Sequence, residues 1–322
     1  LELLGGVTLQ NSVQRSALAT ASGLTSNVIQ TVYGPLTNGS SFITENGILS
    51  YIARANYNFN KKYYVSLAGR TDASSRFGEN RKYGYFPSVS LGWIVSDETF
   101  LVNSKAIDFL KIRASLGTTG NQEIGDFNYL GRVNFGSPYL GQTGAVPINI
   151  DDNKFSWEST KQFNVGFDLS LYKSRMNITV DYYTKTTNGL ILDIPLPGTT
   201  GFSSRPGNAG SLENKGIEFT LNTNNIVGKF RWNTSFNISS NKVKILQLVD
   251  NQDIKQGSFG NSNIAREGEE LSFYLYETEK NVDPLTGKLI VVDVNKDGFI
   301  NDNDQKIMGS PLPKYIGGIT NT

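Results

Sequence analysis

The chain has 322 residues, enough for one large domain or two ordinary ones, and only 18% of them are charged, with a net charge of +1. That balance leaves no broad basic surface for nucleic acid, whose phosphates demand clustered Lys and Arg, and it is not that of a disordered acidic chain. With no Cys and no His, a thiol nucleophile, a disulfide framework, the usual zinc sites and a His-based triad are all excluded.

The 15 Tyr, 18 Phe and 33 Gly favour pleated surfaces and tight turns, and apolar residues recur with a period of two. Leu1, Leu3, Val7 and Leu9 alternate with Glu2, Thr8 and Gln10. Leu49, Tyr51, Ala53, Ala55, Tyr57 and Phe59 oppose Ser50, Arg54, Asn56 and Asn58, and Tyr63, Val65 and Leu67 begin the partner strand. Val89, Leu91, Trp93 and Val95 alternate with Ser88, Ser90 and Gly92. Ile112, Ala114 and Leu116 do the same against Lys111, Arg113 and Ser115. The clearest case runs from Lys161 to Tyr182. Phe163, Val165, Phe167, Met176, Ile178 and Val180 share one face, expected to meet lipid. Asn164, Asp168, Asn177 and Asp181 share the other, expected to meet a lumen. Ile217, Phe219 and Leu221, then Phe230, Trp232, Phe236 and Ile238, continue the pattern.

Many of these runs are 10 to 13 residues long. Ordinary strands peak at about 5–6 residues, whereas a tilted strand needs about 9–11 to cross a bilayer. No run of about 18 apolar residues marks a membrane helix. Short turns fall near Asn60-Lys61, Lys173-Ser174 and Asn225–Gly228. Long connections fall at Asp72–Tyr83, Thr119–Thr160, Asp193–Ser211 and Asn241–Glu270, and Asp97–Asp108 lies on the short-turn side by parity. Such alternation belongs to outer-membrane barrels, with short periplasmic turns and long external loops. The fold expected is therefore all-β: part of a large antiparallel transmembrane β-barrel. A soluble sandwich shares the alternation but not the strand lengths. The absence of a strict internal repeat disfavours a solenoid.

The stretch Arg70-Thr71-Asp72-Ala73-Ser74-Ser75-Arg76-Phe77-Gly78 resembles a hallmark of the SusC/RagA family of TonB-linked outer-membrane proteins of Bacteroidetes. It departs from the pattern at Ala73, where the family usually has Gly, a change expected to stiffen a loop. Phe86-Pro87-Ser88-Val89-Ser90-Leu91-Gly92-Trp93 follows at the family's interval. Leu110–Gly117 with Thr119-Gly120-Asn121, Asn214–Glu218, Asp293–Gly298 and Gly309–Lys314 resemble later blocks in order. The resemblance spans residues 1–322 as a stretch of receptor barrel, with no plug domain and no TonB box found in it. It makes the chain read as truncated at both ends, with Lys314–Thr322 a strand begun and not finished, and with any signal peptide of the parent expected upstream of Leu1. Roughly a dozen strands of bilayer-crossing length are expected here, against the about 22 that close such barrels. The resemblance implies residence in the bacterial outer membrane and energy-dependent import of large nutrients, glycans or peptides. It also implies a SusD-like lipoprotein as external lid and coupling to TonB through an N-terminal part. It implies no enzyme.

The sharpest local motif is a calcium-loop spacing, with Asp293, Asn295 and Asp297 at alternate positions, Gly298 at the sharp turn and Asp304 in place of the usual Glu. Phe299 is expected to offer its backbone carbonyl and Asn301 to act through water, around a structural Ca2+. The other reading is an Asx-rich turn without an ion. Asp151-Asp152 reads as a solvated loop pair rather than a glycosidase dyad. Tyr129, Tyr139, Phe155, Trp157 and Phe202 read as loop packing before sugar stacking. The alternative function is a secreted, calcium-using, β-rich binding or adhesion protein.

Overall fold

The computed structural model describes residues 1–23, 36–152, 154–256 and 262–322. Ten strands form one antiparallel sheet: β1 (Glu2–Ala21), β2 (Leu36–Phe59), β3 (Tyr63–Ser74), β4 (Tyr83–Ile94), β5 (Ile107–Asn121), β6 (Glu158–Leu171), β7 (Met176–Asn188), β8 (Ser211–Ile226), β9 (Trp232–Gln247) and β10 (Ile316–Asn321). Each pairs with its neighbours in chain order, as expected of a meandering barrel wall. The order is open: among the described residues β1 and β10 each have a partner on one side only.

The register carries the alternation across the whole wall. Phe59, Tyr63, Trp93, Ile112, Phe167, Val180, Phe219 and Ile238 are successive cross-strand partners from β2 to β9. On the opposite face Asn56, Ser66, Ser90, Ser115, Asn164, Tyr183, Gly216 and Asn241 form a parallel polar row. The apolar face is bare: Leu3, Leu9, Leu67, Leu91 and Phe163 are all exposed. So large an uncovered apolar surface, on strands long enough to cross a bilayer, fits a lipid-facing wall. The hairpin β6–β7 matches the expected orientation, with Phe163, Val165 and Phe167 on the face of Ile178 and Val180, and Asn164 and Asp168 on that of Asn177 and Asp181.

Several expectations are corrected. The wall has ten strands among the described residues, not about a dozen, because later segments fold into small loop sheets. Leu1 and Phe230 lie just outside β1 and β9. β9 continues to Gln247, so the connection expected from Asn241 starts later and runs on to β10. Ala73 lies inside β3, paired with Leu49 and Tyr83, and stiffens no loop. The largest difference is the hairpin β1–β2, of 20 and 24 residues. At about 3.3 Å per residue it far exceeds a bilayer's span. Its far half, rich in Ser, Thr, Ala and Asn, is wet on both faces and so lacks the alternation that marks a membrane strand. Residue 153 and residues 257–261, within two of the expected connections, lie outside the described residues.

Connections alternate as anticipated. The short side holds residues 60–62, 95–106, 172–175 and 227–231; the long side holds 75–82, 122–157, 189–210 and 248–315. The long connections build their own small sheets: Val133–Tyr139 with Gln142–Pro147, Ile191–Pro195 with Ser204–Asn208, and a four-stranded sheet within residues 254–307. The buried apolar core therefore sits under these loops, around Phe77, Ile124 and Phe155, and not within the single-layered wall. No described helix is long and apolar enough to cross a membrane, which says nothing about crossing by strands.

Candidate functional site

The lumenal face of β3–β7 is the candidate site, bounded at the external mouth by packed loops. Its central feature is Arg113 on β5. Its guanidinium donates through both Nη atoms to Asp181 at 2.6 and 2.7 Å, and through Nε to Asp168 at 3.0 Å. Thr179 donates to Asp168 at 3.2 Å. The register places Gly166 of β6 between Arg113 and Asp181. A Cβ built on Gly166 would stand 2.5 Å from Asp181 Oδ1, so only glycine lets the arginine cross one strand to reach the next. Two planar pairings on one cation are the strong form of this contact. A lumenal hollow of about 910 Å³ lies beside it, lined in part by Asn56, Tyr64, Ser66, Lys111, Arg113 and Asn164.

The hallmark stretch turns out to be a girder at the external mouth. Arg70 donates to Asp72 at 2.7 Å and to Ser50 at 3.1 Å, with Ser50 and Asp72 both buried. Arg76 donates to Asp126 at 2.8 Å and to the Gln122 carbonyl at 3.1 Å, tying the β3–β4 loop to the one after β5. Burial pushes the Asp126 carboxyl up, but hydrogen bonds from Arg76 and Asn46 outweigh this and hold it below the usual carboxylate value. Phe77 is buried edge-on to Phe155, with Trp157 beside it at 5.1 Å. Trp157 donates to the Lys82 carbonyl at 2.8 Å and meets Phe86 at 5.4 Å. Phe86 lies over Gly84 and Gly120, where any Cβ would stand within 2.4 Å of its ring.

Among the loop aromatics, Phe155 and Trp157 are thus packing residues, while Tyr139 is exposed. Asp152 binds Arg205, joining two external loops, and also accepts the Lys154 N–H at 2.9 Å. At the opposite, short-turn end, Glu98 accepts from Tyr63 at 2.6 Å and Trp93 at 3.1 Å, with Lys62 at 3.5 Å. The Tyr63 and Trp93 hydrogen bonds hold the Glu98 carboxyl below its ordinary value.

The Asp293–Asp304 segment folds as a nest of its own N–H groups. Asp293 accepts from Lys296 at 2.6 Å and Gly298 at 2.8 Å, and Asp297 accepts from Phe299 at 2.8 Å. Asp304 is fully buried and accepts from Val294 at 2.9 Å and Asn301 at 2.8 Å. Those backbone donors, Asn301 first, hold the Asp304 carboxyl below its ordinary value. Asn301 closes a capping box with Asp304, and the Phe299 carbonyl accepts from Asn301 Nδ2 at 3.4 Å. The all-oxygen donor set suits calcium. Yet among the described residues no three acidic side chains converge closely enough to hold a metal ion.

Sequence reasoning placed Asp168 and Asp181 on the lumenal face but missed the arginine that joins them. The available signal was an unpaired charge on the polar face of each of three consecutive strands, at Arg113, Asp168 and Asp181.

The family description "TonB dependent receptor-like, beta-barrel" matches residues 4–289. The chain is 34% identical over 352 aligned residues to TonB-dependent receptor P3 of Formosa agariphila, covering all of this chain and 35% of that receptor. This chain belongs to the TonB-dependent receptors. This receptor stretch is also 31% identical to the TonB-dependent receptor SusC of Bacteroides thetaiotaomicron over 306 residues, covering 87% of the chain and 30% of SusC. It superposes on the RagAB peptide transporter with a TM-score of 0.87 at 27% identity, covering 98% of this chain and 36% of that one. The chain thus spans about a third of the length of these relatives. As a receptor barrel it resides in the outer membrane, with its apolar face against lipid. The match to receptors sets aside the secreted adhesion reading.

Proposed function

We propose that this stretch forms part of the wall of a TonB-driven importer of large nutrients, peptides or glycans, working with a SusD-like lipoprotein as an external lid. The observation that carries the reading is the two-faced wall, apolar outside and polar inside, roofed by long packed loops and superposing on the RagAB peptide transporter over nearly its whole length. A wide polar lumen suits hydrated cargo, and packed loops around a mouth suit a docked lid. Cells lacking the parent receptor should lose uptake of either fluorescent oligopeptides or oligosaccharides, and affinity-tagged receptor should bring down an outer-membrane lipoprotein. Unchanged uptake of both classes, with no lipoprotein recovered, would overturn the reading.

We further propose that Asp293, Asn295, Asp297, Phe299, Asn301 and Asp304 take a structural calcium that draws the carboxylates together and braces the loop. Support comes from the ligand spacing, the all-oxygen donor set and the burial of Asp304.

A further inference from the structure

The short-turn rim carries a pattern that import does not use. We infer that it binds the anionic phosphate headgroups of phospholipids in the periplasmic leaflet. Each of its four connections carries an exposed cation, with an exposed aromatic in the same connection or at the strand ends that flank it. Lys61 lies between Phe59 and Tyr63, which belong to the lipid-facing wall. Lys105 shares its connection with Phe100, 70% exposed. Lys173 and Arg175 follow Tyr172, and Lys229 and Arg231 flank Phe230, 68% exposed.

None of these six cations has a carboxylate within 4.0 Å among the described residues. Only Lys62, the seventh at this rim, meets an acid, Glu98. Two acids, Asp97 and Glu98, stand in these connections against seven cations. The longest external connection has the opposite balance, with twelve acids and seven cations in residues 248–315, where Arg266 and Lys306 are paired with carboxylates.

The occupant follows from position and charge. Phe59, Tyr63 and Trp93 are the last lipid-facing positions before the turns, so the rim begins where acyl chains give way to headgroups. Aromatic rings sit at that level, and Lys or Arg beside them meets phosphate. An unpaired cation repeated in all four connections is complementary to an anionic leaflet and continuous with the surface that already touches lipid.

The test uses the full-length parent receptor in detergent micelles, with bound lipid counted by native mass spectrometry after addition of phosphatidylglycerol or phosphatidylcholine. The wild type should retain phosphatidylglycerol preferentially, and the preference should weaken as salt rises. Single changes such as Lys173→Gln or Lys229→Gln should each lower retention about fivefold at low salt. The combined K61Q/K173Q/R175Q/K229Q/R231Q variant should lose the preference, whereas Lys280→Gln with Lys288→Gln on the external side should keep it. The singles lie on exposed turns and keep the test valid if the combined variant fails to fold. Absence of preference in the wild type, or equal loss from the external pair, overturns the inference. So does a rim variant whose melting falls equally without lipid, since the rim would then hold another part of the receptor.

Discussion

Arg113 neutralises two carboxylates at once, and that makes it the most exacting residue of the lumenal wall. Arg113→Ala leaves Asp168 and Asp181 on neighbouring strands with no cation between them. It should lower the unfolding free energy of the parent receptor by about 1–2 kcal/mol, a figure discounted because the lumenal side stays wet. Arg113→Lys should recover only part, since an ammonium cannot make the paired planar contacts. Denaturant titration followed by Trp fluorescence in micelles checks both, and an unchanged midpoint for Arg113→Ala would sink the assignment. Glu98 makes a second residue-level prediction. Its carboxyl is depressed in the fold, so its contribution is full above the unfolded pKa and is lost as pH falls through the lower folded value. The melting temperature of Glu98→Gln should therefore differ from wild type at neutral pH and converge with it in acid. Parallel curves throughout would show that Tyr63 and Trp93 gain nothing from the charge.

Strands and loops obey different constraints, and the hairpin β6–β7 tests the first. Val165 lies midway along β6 on the apolar face, between Ala114 and Tyr182, while its neighbour Asn164 faces the lumen. Val165→Arg should cost about 2–4 kcal/mol near the bilayer midplane, and Asn164→Arg much less. Reversed costs, measured by refolding into vesicles, would mean a register slipped by one residue, which exchanges the two faces entirely, and equal costs would mean that the two faces do not meet lipid and lumen. The Asp293–Asp304 loop tests the second. Calcium should release heat on titration into the detergent-solubilised parent and raise its melting point by mass action. Asp297→Ala should bind far more weakly. Identical heats from both proteins would leave the segment as an Asx-rich turn held by its own N–H donors.

Ten paired strands with two open edges cannot stand alone in a bilayer, because lipid offers no partner to edge N–H and C=O groups. The relatives are about three times as long, a length that supplies the further strands with which such a sheet can close. These 322 residues expressed alone should therefore aggregate or need detergent, and should refold only within the parent. Analytical ultracentrifugation decides this, and a folded, monodisperse, water-soluble product would contradict the lipid-facing wall.

Strand identity, face and connection side were legible from residues alone wherever lipid and lumen impose opposite demands. Phe163-Asn164-Val165 can be read in only one phase, since lipid rejects polar side chains and a wet lumen does not require apolar ones. That rule fails beyond the bilayer, which is why the far half of β1–β2 and the small loop sheets left no trace in the periodicity. Arg113 with Asp168 and Asp181, and Arg76 with Asp126, were decided by the tertiary structure alone. Their members lie 55, 68 and 50 residues apart, and only strand register or loop closure brings them within hydrogen-bond reach. An alternating pattern states which face a side chain takes; it does not state which strand will stand beside it.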